Sequence, residues 1–330
     1  MRNPLSVHIL KSSQTDAIDL LKRKLDPNVF VSAGGIGEIP IETSILVAGE
    51  PTIEMLNALP DLRSLIVPWA GVSPEVFEVM RGFPRISIHN LHHNALPVAE
   101  YALALLLSAA NAIVPVDHAL RANDWRPRYT QTASTLISGK SLLILGYGNI
   151  GKALSKLLVG FNMTIMATRN SIDFEDTEGQ THIFPANRLH DLLPKADFLV
   201  ITLPLTASTK GVIGEKELSL LPPHAVFVNI GRGEIIDQAA LYNILKTRPT
   251  MAAGIDVWYN YPKNESDRSN TPPSDYPLHE LDNIVLSPHR AGSLNQKDID
   301  VLRMTHLAGL LNQAARGKQM SNLVNPVKGY

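Results

Sequence analysis

Residues 141–154 read SLLILGYGNIGKAL and join an apolar strand to a glycine turn and a helix with one apolar face. Gly146, Gly148 and Gly151 have the spacing GxGxxG, and the apolar run MTIMA follows as a second strand (residues 163–167). Glycines at these places permit a tight turn and a close approach of a pyrophosphate to the backbone, while the helix N-terminus supplies N–H donors. The unit is typical of dinucleotide binding, and a glycine-rich turn without a ligand is the alternative.

Apolar runs on both sides of this unit extend it into a long α/β series. Downstream, DFLVITL, AVFVNI, AAGIDV and NIVLSP are continuously apolar, which is typical of strands buried on both faces of a parallel sheet. Upstream, SVHIL, SILVAG, SLIVPW and RISIH alternate with helical patterns such as TDAIDLLKRKL. The predicted fold class is therefore α/β, with doubly wound parallel sheets. A polar, Pro-rich segment (residues 259–277) is predicted to be a long loop.

Composition limits the classes of function. The chain has 330 residues, enough for about two domains, and a net charge of -1, so no basic surface for nucleic acid or an anionic membrane is expected. It has no cysteine, which excludes disulfides and thiolate metal sites and fits a cytoplasmic protein. No spacing of histidines or acids suggests a metal site. The apolar run of residues 98–114 contains polar side chains and is predicted to be a buried helix, because a membrane span needs about 20 residues.

The strand after the glycine turn ends with three polar residues and no acid. In a dinucleotide-binding βαβ unit, an Asp or Glu at this strand end accepts hydrogen bonds from the adenosine 2′-hydroxyl and disfavours a 2′-phosphate. Here the strand end is Thr168, Arg169 and Asn170, and the first nearby acid is Asp173. We therefore expect Arg169 to pair with the 2′-phosphate of NADP, with NAD as the alternative cofactor. The other interpretation is a solvent-facing arginine that tolerates either.

Three further polar residues follow strands of the same series. Arg232 lies between two glycines after AVFVNI, Asp256 follows AAGI, and His289 follows NIVLSP. The carboxyl ends of parallel strands meet at one edge of a sheet, where ligands bind. Arginine can bind a carboxylate with two parallel hydrogen bonds, and histidine can move a proton to or from a hydroxyl. Next to a nicotinamide, this pair predicts hydride transfer at a 2-oxo or 2-hydroxy acid, although either residue alone could be structural.

Taken in order, these motifs resemble one known family. The stretches ILGYGNIGKAL, ITLPLTASTKGVIG, VNIGRGEIIDQAAL, GIDVW and SPHRAG, preceded by WAGVS and NALPVAEYALALLL, are similar to the D-isomer-specific 2-hydroxyacid dehydrogenases, and in particular to glyoxylate and hydroxypyruvate reductases. The resemblance implies two doubly wound domains, with a Rossmann cofactor domain (residues 98–290) inserted in a flavodoxin-like substrate domain (residues 1–97 plus 291–330). It also implies a homodimer formed through the cofactor domain.

The resemblance further implies roles for individual residues. Arg232 would bind and polarise the carboxylate and keto oxygen of the substrate, His289 would be the acid and base, and Asp256 would lie near the nicotinamide carboxamide. The expected substrate contacts are, besides Arg232, Trp69 and the backbone N–H groups of Ala70, Gly71 and Val72. Trp69 could equally belong to the core. The expected cofactor contacts are Gly146, Gly148, Asn149, Ile150, Gly151, Thr168, Arg169, Asn170, Pro204, Thr209, Ile230 and Asp256.

One position departs from the family pattern. The family usually carries a glutamate shortly after the Asp-Val-Trp element, where it hydrogen-bonds the catalytic histidine and raises its pKa; the matching residue here is Tyr261 in DVWYNYP. A tyrosine can orient an imidazole but cannot stabilise its cation as a carboxylate does. Glu265, Asp267 or Glu280 could fold back to replace the acid. With Tyr261 alone, His289 should titrate lower than in a typical member, and reduction should decline at a lower pH.

The sequence thus predicts an oxidoreductase that prefers NADP(H) and reduces a small 2-oxo acid such as glyoxylate or hydroxypyruvate, with Arg232, His289 and Tyr261 as catalytic residues. Two other functions stay open. Formate oxidation, catalysed by a related enzyme in which an amide replaces the usual glutamate, needs no proton relay to a hydroxyl. A protein that senses NAD(P) without turnover could use the same fold. Ketoacid turnover that is lost in His289→Ala would separate the enzyme from the sensor.

Overall fold

The computed structural model describes residues 4–10, 15–130, 134–292 and 296–326. The chain divides into two compact units, one formed by Met1–Asn94 with Ser293–Tyr330 and the other by Ala95–Gly292. Both units combine helices with parallel strands, so the predicted fold class is confirmed. The expected division of labour between them, one unit for substrate and one for cofactor, stays a prediction.

Strands and helices are numbered in chain order. The strands are β1 (Leu5–Leu10), β2 (Val29–Gly34), β3 (Ile45–Val47), β4 (Ser64–Val67), β5 (Ser87–Asn90), β6 (Ser141–Leu145), β7 (Thr164–Arg169), β8 (Asp176–Glu178), β9 (Thr181–Pro185), β10 (Phe198–Ile201), β11 (Val226–Asn229), β12 (Ala252–Ile255) and β13 (Ile284–Leu286). The helices are α1 (Thr15–Lys22), α2 (Ile53–Asn57), α3 (Pro74–Met80), α4 (Ala95–Ala110), α5 (Ile113–Arg121), α6 (Asn149–Leu157), α7 (Leu189–Leu192), α8 (Glu215–Leu220), α9 (Gln238–Thr247) and α10 (Gln296–Ala315).

In the described part of the first unit, β1 to β5 form a parallel sheet in the order β2-β1-β3-β4-β5. This order is that of flavodoxin-like doubly wound folds. Side chains of successive residues pack on opposite faces, so Ile66 belongs to one core cluster and its neighbours Leu65 and Val67 to another. Strand β2 is absent from the sequence-based prediction. It lies at the edge of the sheet, where none of its residues is fully buried, and VFVSAG lacks a continuous apolar run.

The second unit carries a larger sheet, eight-stranded over its described residues, in the order β13-β12-β11-β10-β6-β7-β9-β8. All neighbouring strands are parallel except the hairpin β8–β9. The chain winds outward from β6 in both directions, so the carboxyl end of β6 is the switch point at which ligands bind in such sheets. The strands predicted here from apolar runs are confirmed. The hairpin was not predicted, because β8 is polar and exposed.

Both faces of the second sheet are buried, as its continuous apolar runs predict. In β6, Leu142 and Ile144 pack into one core cluster while Leu143 and Leu145 pack into the cluster on the opposite face. The central strands are thereby fixed from both sides by close packing. The backbone at the carboxyl ends of these strands is consequently rigid, so the side chains located there are attached to a fixed backbone.

Helix α4 contains the apolar segment that the sequence predicts to be buried. Ala99, Ala102 and Leu106 are at most 1% exposed, and the helix packs against α6, β11 and β12. The prediction of a buried helix is therefore confirmed for residues 98–110, whereas Ile113 and Val114 belong to α5, which has no buried residue. Among the described helices, no single one is long and apolar enough to cross a membrane; α4 and α5 pass that test only as a pair, and a bend of 65° separates them.

Candidate active site and cofactor site

The glycine turn after β6 leaves open space in front of α6. Gly146 has a φ of 100°, and a Cβ there would lie 2.9 Å from the Leu203 side chain. A Cβ on Gly151 would lie 2.9 Å from the carbonyl oxygen of Gly146. A Cβ on Gly148 would meet no atom within 4 Å, so packing within the chain gives no reason for a glycine there. Space at a helix N-terminus, kept open by such a glycine, suits a pyrophosphate, and the residues present fit a dinucleotide.

The end of β7 is tied to this glycine turn. The Thr168 side chain is buried and its Oγ1 accepts a hydrogen bond from Gly146 N at 3.3 Å. The Arg169 guanidinium donates from Nε and Nη2 to the Tyr147 carbonyl oxygen, each at 3.3 Å, and its Cζ lies 5.4 Å from the centre of the Tyr147 ring. Thr168 thus supports the turn, while Arg169, followed by Asn170, occupies the position at which the sequence predicts recognition of the 2′-phosphate.

The remaining predicted cofactor contacts lie at the starts of helices or loops of the same unit. Asn149 and Ile150 open α6, directly after the glycine turn. Thr209 Oγ1 donates to the Pro204 carbonyl oxygen at 2.6 Å and closes the loop after β10. Ile230 N donates to the Ile201 carbonyl oxygen at 3.2 Å, just after β11. Their contacts with a cofactor stay predictions.

The Arg232 segment is positioned by close backbone packing. A Cβ on Gly231 would lie 2.6 Å from a carbonyl oxygen of the loop after β10, and one on Gly233 would overlap the Trp258 carbonyl group. Asn229, the last residue of β11, accepts a hydrogen bond from Gly231 N at 3.1 Å and donates from Nδ2 to the Arg232 carbonyl oxygen at 2.9 Å. The glycines on either side of Arg232 are therefore required by the fold, and the arginine between them has a fixed backbone.

The charge of Arg232 is available to a ligand. The residue is exposed, and its Nη1 donates to the carbonyl oxygen of Gly231 at 2.7 Å. None of the ion pairs recorded over the described ranges involves Arg232. This arrangement disfavours the interpretation of Arg232 as half of a structural ion pair. A guanidinium with free donors can bind a carboxylate or a developing oxyanion.

The turn that carries His289 is built around the buried carboxylate of Asp256. Asp256 is fully buried and accepts hydrogen bonds from Ser287 Oγ at 2.5 Å, Arg290 N at 2.7 Å and Ala291 N at 2.9 Å. The backbone of His289 has a φ of 57°, in the left-handed region, and its N–H donates to the Ser287 carbonyl oxygen at 3.0 Å. These bonds on both sides of His289 hold it in an unfavourable backbone conformation. Asp256 therefore positions the histidine, whatever it contributes to a cofactor.

Tyr261 is the partner of the His289 ring. Its hydroxyl lies 2.9 Å from His289 Nδ1 and accepts a hydrogen bond from Trp258 N at 3.0 Å. Because the phenol oxygen already accepts from a backbone N–H, its own proton is best directed at Nδ1. This assignment, made from the hydrogen-bond network, places the proton of the neutral imidazole on Nε2. Tyr261 thus makes the contact with the His289 ring that the resemblance assigns to this position.

The surroundings of His289 disfavour its cation. Burial lowers the pKa of His289, and the nearby positive charge of Arg232 lowers it further, while Asp256 acts in the opposite direction. Burial also raises the pKa of Tyr261, so the phenol stays protonated and supplies no negative charge. The lowered pKa is in the direction of the prediction, and the comparison with a typical family member stays a prediction.

The three acids that could fold back, two in the long loop and one just after it, do not replace the missing glutamate in this structure. Glu265 pairs with Arg268 at 3.0 Å. Asp267 accepts hydrogen bonds from the backbone and side chain of Asn264, each at 3.2 Å, and Glu280 ends a short turn after Pro277. The ring partner of His289 is Tyr261, so the alternative of a folded-back acid is wrong here. Across the described ranges, no group of three or more His, Cys, Asp or Glu residues is placed to hold a metal ion.

The predicted carboxylate-binding turn, Trp69 to Val72, belongs to the first unit. The Trp69 ring covers Gly49, where any Cβ would overlap it, and the side chain is still 45% exposed. Leu91 N donates to the Trp69 carbonyl oxygen at 3.3 Å, and Asn90 Nδ2 donates to that of Ala70 at 2.6 Å. These bonds fix the turn through its carbonyl groups. The N–H groups of residues 70–72 remain the predicted donors to a carboxylate.

Comparison with known proteins agrees with this geometry. Residues 103–291 match the family model described as D-isomer specific 2-hydroxyacid dehydrogenase, NAD binding domain. The chain belongs to this family. The matched residues lie within the second unit and include the glycine turn, Arg169, Arg232, Tyr261 and His289, so the predicted resemblance is confirmed.

Similar proteins include reductases of small keto acids. The chain is 34% identical over 233 residues to glyoxylate/hydroxypyruvate reductase B of Pectobacterium atrosepticum, covering 69% of this chain and 68% of that protein. It is 35% identical over 234 residues to glyoxylate reductase of Aeropyrum pernix, covering 69% and 65%. The chain thus spans about two thirds of the length of these relatives. A solved D-isomer specific 2-hydroxyacid dehydrogenase of Xanthobacter autotrophicus Py2, in complex with NADPH and MES, has the same fold, with a TM-score of 0.79, 21% identity, and coverage of 99% of this chain and 100% of that one.

Several residues that shape the site escaped the sequence analysis. Asn229 and Ser287 are polar residues at strand ends. The sequence-based prediction named the nearby residues Arg232 and His289 instead. Lys152, which follows the last glycine of the GxGxxG motif, lies beside Arg169, and both contact Glu178. Lys152 could have been noticed from its place one residue after the motif. Glu178 could not, because β8, the strand that it ends, is polar and exposed and therefore has no apolar pattern.

Proposed function

We propose that this protein is an oxidoreductase that uses NADP(H) in preference to NAD(H) and reduces a small 2-oxo acid such as glyoxylate or hydroxypyruvate. One observation carries the proposal: an exposed arginine, without a carboxylate partner among the residues that the structure describes, lies near a histidine whose ring is held by Tyr261. Arg232 and His289 follow β11 and β13 of the sheet that has the glycine turn after β6. The names of the similar reductases point to the same substrate class.

Arg232 and His289 have complementary roles in this reaction. The Arg232 guanidinium holds the substrate carboxylate and stabilises negative charge that develops on the keto oxygen. NADPH, when bound, would supply the hydride. The cationic form of His289 donates a proton from Nε2 to the substrate oxygen. The proton left on Nδ1 then points at Tyr261, so the Tyr261 hydroxyl changes from donor to acceptor during the cycle.

The preference for NADP is part of the proposal. The end of β7 carries no acid that could accept hydrogen bonds from the 2′-hydroxyl, and Arg169 is held there by Tyr147. A charged hydrogen bond of this kind contributes about 1.5–3 kcal/mol, which is roughly 10- to 100-fold in affinity. The proposal includes a cytoplasmic homodimer in which residues 98–290 bind the cofactor and residues 1–97 plus 291–330 bind the substrate.

Formate oxidation is the second candidate function. The assigned hydrogen bond from the Tyr261 hydroxyl to His289 Nδ1 favours it. A neutral His289 with its proton on Nε2 can donate a hydrogen bond to formate without changing its protonation state. Formate oxidation moves no hydroxyl proton, so it does not require the histidine cation. Keto acid reduction therefore requires the His289 cation, whereas formate oxidation proceeds with the neutral imidazole.

Initial rates separate these functions. The rates to measure are those of glyoxylate and hydroxypyruvate reduction with NADPH and NADH, and of formate oxidation with NADP⁺ and NAD⁺, for the wild type, Arg169→Asp and His289→Ala. We expect keto acid reduction with NADPH, loss of the NADPH preference in Arg169→Asp and loss of turnover in His289→Ala. Equal rates with both cofactors would overturn the role of Arg169. Cofactor binding without turnover of any substrate would favour a sensor.

A further inference from the structure

The two cations at the end of β7 share one carboxylate. Glu178 Oε2 lies 2.7 Å from Lys152 Nζ and 3.5 Å from Arg169 Nη2. Lys152 belongs to α6, Arg169 ends β7 and Glu178 ends β8, so three different elements meet at one oxygen atom. The hydrogen bond from Lys152 holds the pKa of Glu178 below its ordinary value. The carboxylate is therefore a bound anion supplied by the chain itself.

The cations are positioned without help from Glu178. Lys152 Nζ and Arg169 Cζ lie 5.8 and 5.4 Å from the centre of the Tyr147 ring. Arg169 also donates twice to the Tyr147 carbonyl oxygen, and the Tyr147 hydroxyl is fixed by Ser155 at 3.1 Å. Removal of the Glu178 charge should therefore leave both cations in place, converging on the same point. Such a pair is suited to a phosphate, whose charge exceeds that of a carboxylate.

We infer that Glu178 occupies, in the free protein, the position of the NADP 2′-phosphate between Lys152 and Arg169, and that NADP must displace it. The inference rests on the proposed use of NADP. It adds Lys152 as a second cation that binds the 2′-phosphate, and Glu178 as a carboxylate of the chain that competes with this phosphate. NAD has a hydroxyl at the same place and has no need to displace the carboxylate. Glu178 thus reduces the preference for NADP that Lys152 and Arg169 create.

Binding measurements on Glu178→Gln test this inference directly. The matched control is Glu175→Gln, which removes the same charge from the same segment, where it pairs with Arg188 at 3.2 Å. Calorimetric titrations of the wild type and both variants would use NADP⁺, NAD⁺, adenosine 2′,5′-bisphosphate and adenosine 5′-monophosphate. Binding of the two 2′-phosphate ligands should become about threefold to tenfold tighter in Glu178→Gln, as expected for one partly exposed charge interaction with more than one partner. Binding of NAD⁺ and adenosine 5′-monophosphate should stay as in the wild type, and Glu175→Gln should change neither.

A further variant tests the second cation. Lys152→Gln should weaken binding of the 2′-phosphate ligands and leave NAD⁺ unaffected. An equal gain for NADP⁺ and NAD⁺ in Glu178→Gln, or the same gain in Glu175→Gln, would overturn the inference, as would unchanged affinity for NADP⁺. In these cases the proposed function would stand. If neither dinucleotide bound to the wild type or to Glu178→Gln, the proposed function would fail together with the inference.

Discussion

Arg232 and His289 both follow a strand of the same parallel sheet, yet the chain positions them by different means. The Arg232 segment is held by close backbone packing at Gly231 and Gly233, and the arginine side chain takes no part in that packing. The His289 turn is held by the buried carboxylate of Asp256, which accepts three hydrogen bonds. We therefore expect that the Arg232 side chain can be replaced without loss of stability. The His289 turn, in contrast, depends on the buried carboxylate of Asp256.

The largest expected effect is the loss of activity on removal of Arg232. Arg232→Ala should lower kcat/KM for keto acid reduction by about 100- to 1000-fold, the range found when one donor to a developing oxyanion is removed. The midpoint of thermal unfolding should stay close to that of the wild type, because the exposed side chain supports no other element. A marked fall in Tm alongside the loss of activity would contradict the contrast drawn above.

A substitution of Asp256 tests whether the His289 turn depends on this buried carboxylate. Asp256→Asn replaces an acceptor of three hydrogen bonds by a group with one acceptor atom, and should lower the free energy of unfolding by about 2–4 kcal/mol as well as activity. Denaturant unfolding measures the first effect and initial rates the second. The control is Asp275→Asn, which changes an exposed carboxylate that accepts from Gln238 and Asn260 and should leave both unchanged. Full stability of Asp256→Asn would show that the turn has other support.

The pH dependence of reduction sharpens the role of Tyr261. Reduction needs the His289 cation, and burial together with Arg232 lowers the pKa of that group, so the rate should fall as pH rises through this lowered value. Tyr261→Glu would stabilise the cation and should move the alkaline limb of the kcat/KM profile up by about one to two pH units. Tyr261→Gln, which is neutral, should leave the limb near that of the wild type. An alkaline limb that does not move in Tyr261→Glu would contradict the contact between the two side chains.

The smallest expected effect is that of the Tyr261 hydroxyl alone. Tyr261→Phe removes one hydrogen bond to His289 and leaves Trp258 N without its partner, which should reduce kcat by about threefold to tenfold. Nitrogen NMR of the imidazole should show the Nε2–H tautomer in the wild type and a mixture of tautomers in the variant. The Nδ1–H tautomer in the wild type would reverse the assigned direction of the hydrogen bond.

Much of the fold and part of the site could be predicted because they depend on local patterns. Continuous apolar runs identified the buried strands of the second sheet, and the order of strand, glycine turn and helix identified the switch point. Arg232 and His289 were found because the carboxyl ends of parallel strands share one edge. Edge strands such as β2 and β8 could not be found this way, since their residues are exposed or only partly buried and form no continuous apolar run.

The contacts that decide charge and proton position were not available from sequence. Tyr261 matches the position of the family's glutamate, but the sequence also allowed Glu265, Asp267 or Glu280 to reach His289, and only the folded chain shows that Tyr261 does so. Arg169 was found at its strand end, yet its pairing with Glu178 depends on a hairpin that returns to β7. The spacing of such pairs in the sequence follows no helix or strand period, so only the folded chain shows which residues meet.

Helix α10 has a consequence for the synthesis of this protein. Its residues Leu307 and Leu311 complete the core cluster around Val7 and Leu21, and its Asn312 accepts a hydrogen bond from Asp26 N at 2.7 Å. The second unit, Ala95–Gly292, is translated before this helix exists, which takes about 10–40 s at roughly 5–20 residues per second. During that time, the apolar side chains of the first unit that α10 covers lack their partners from this helix. The core of the first unit can therefore be completed only after the second unit has been translated.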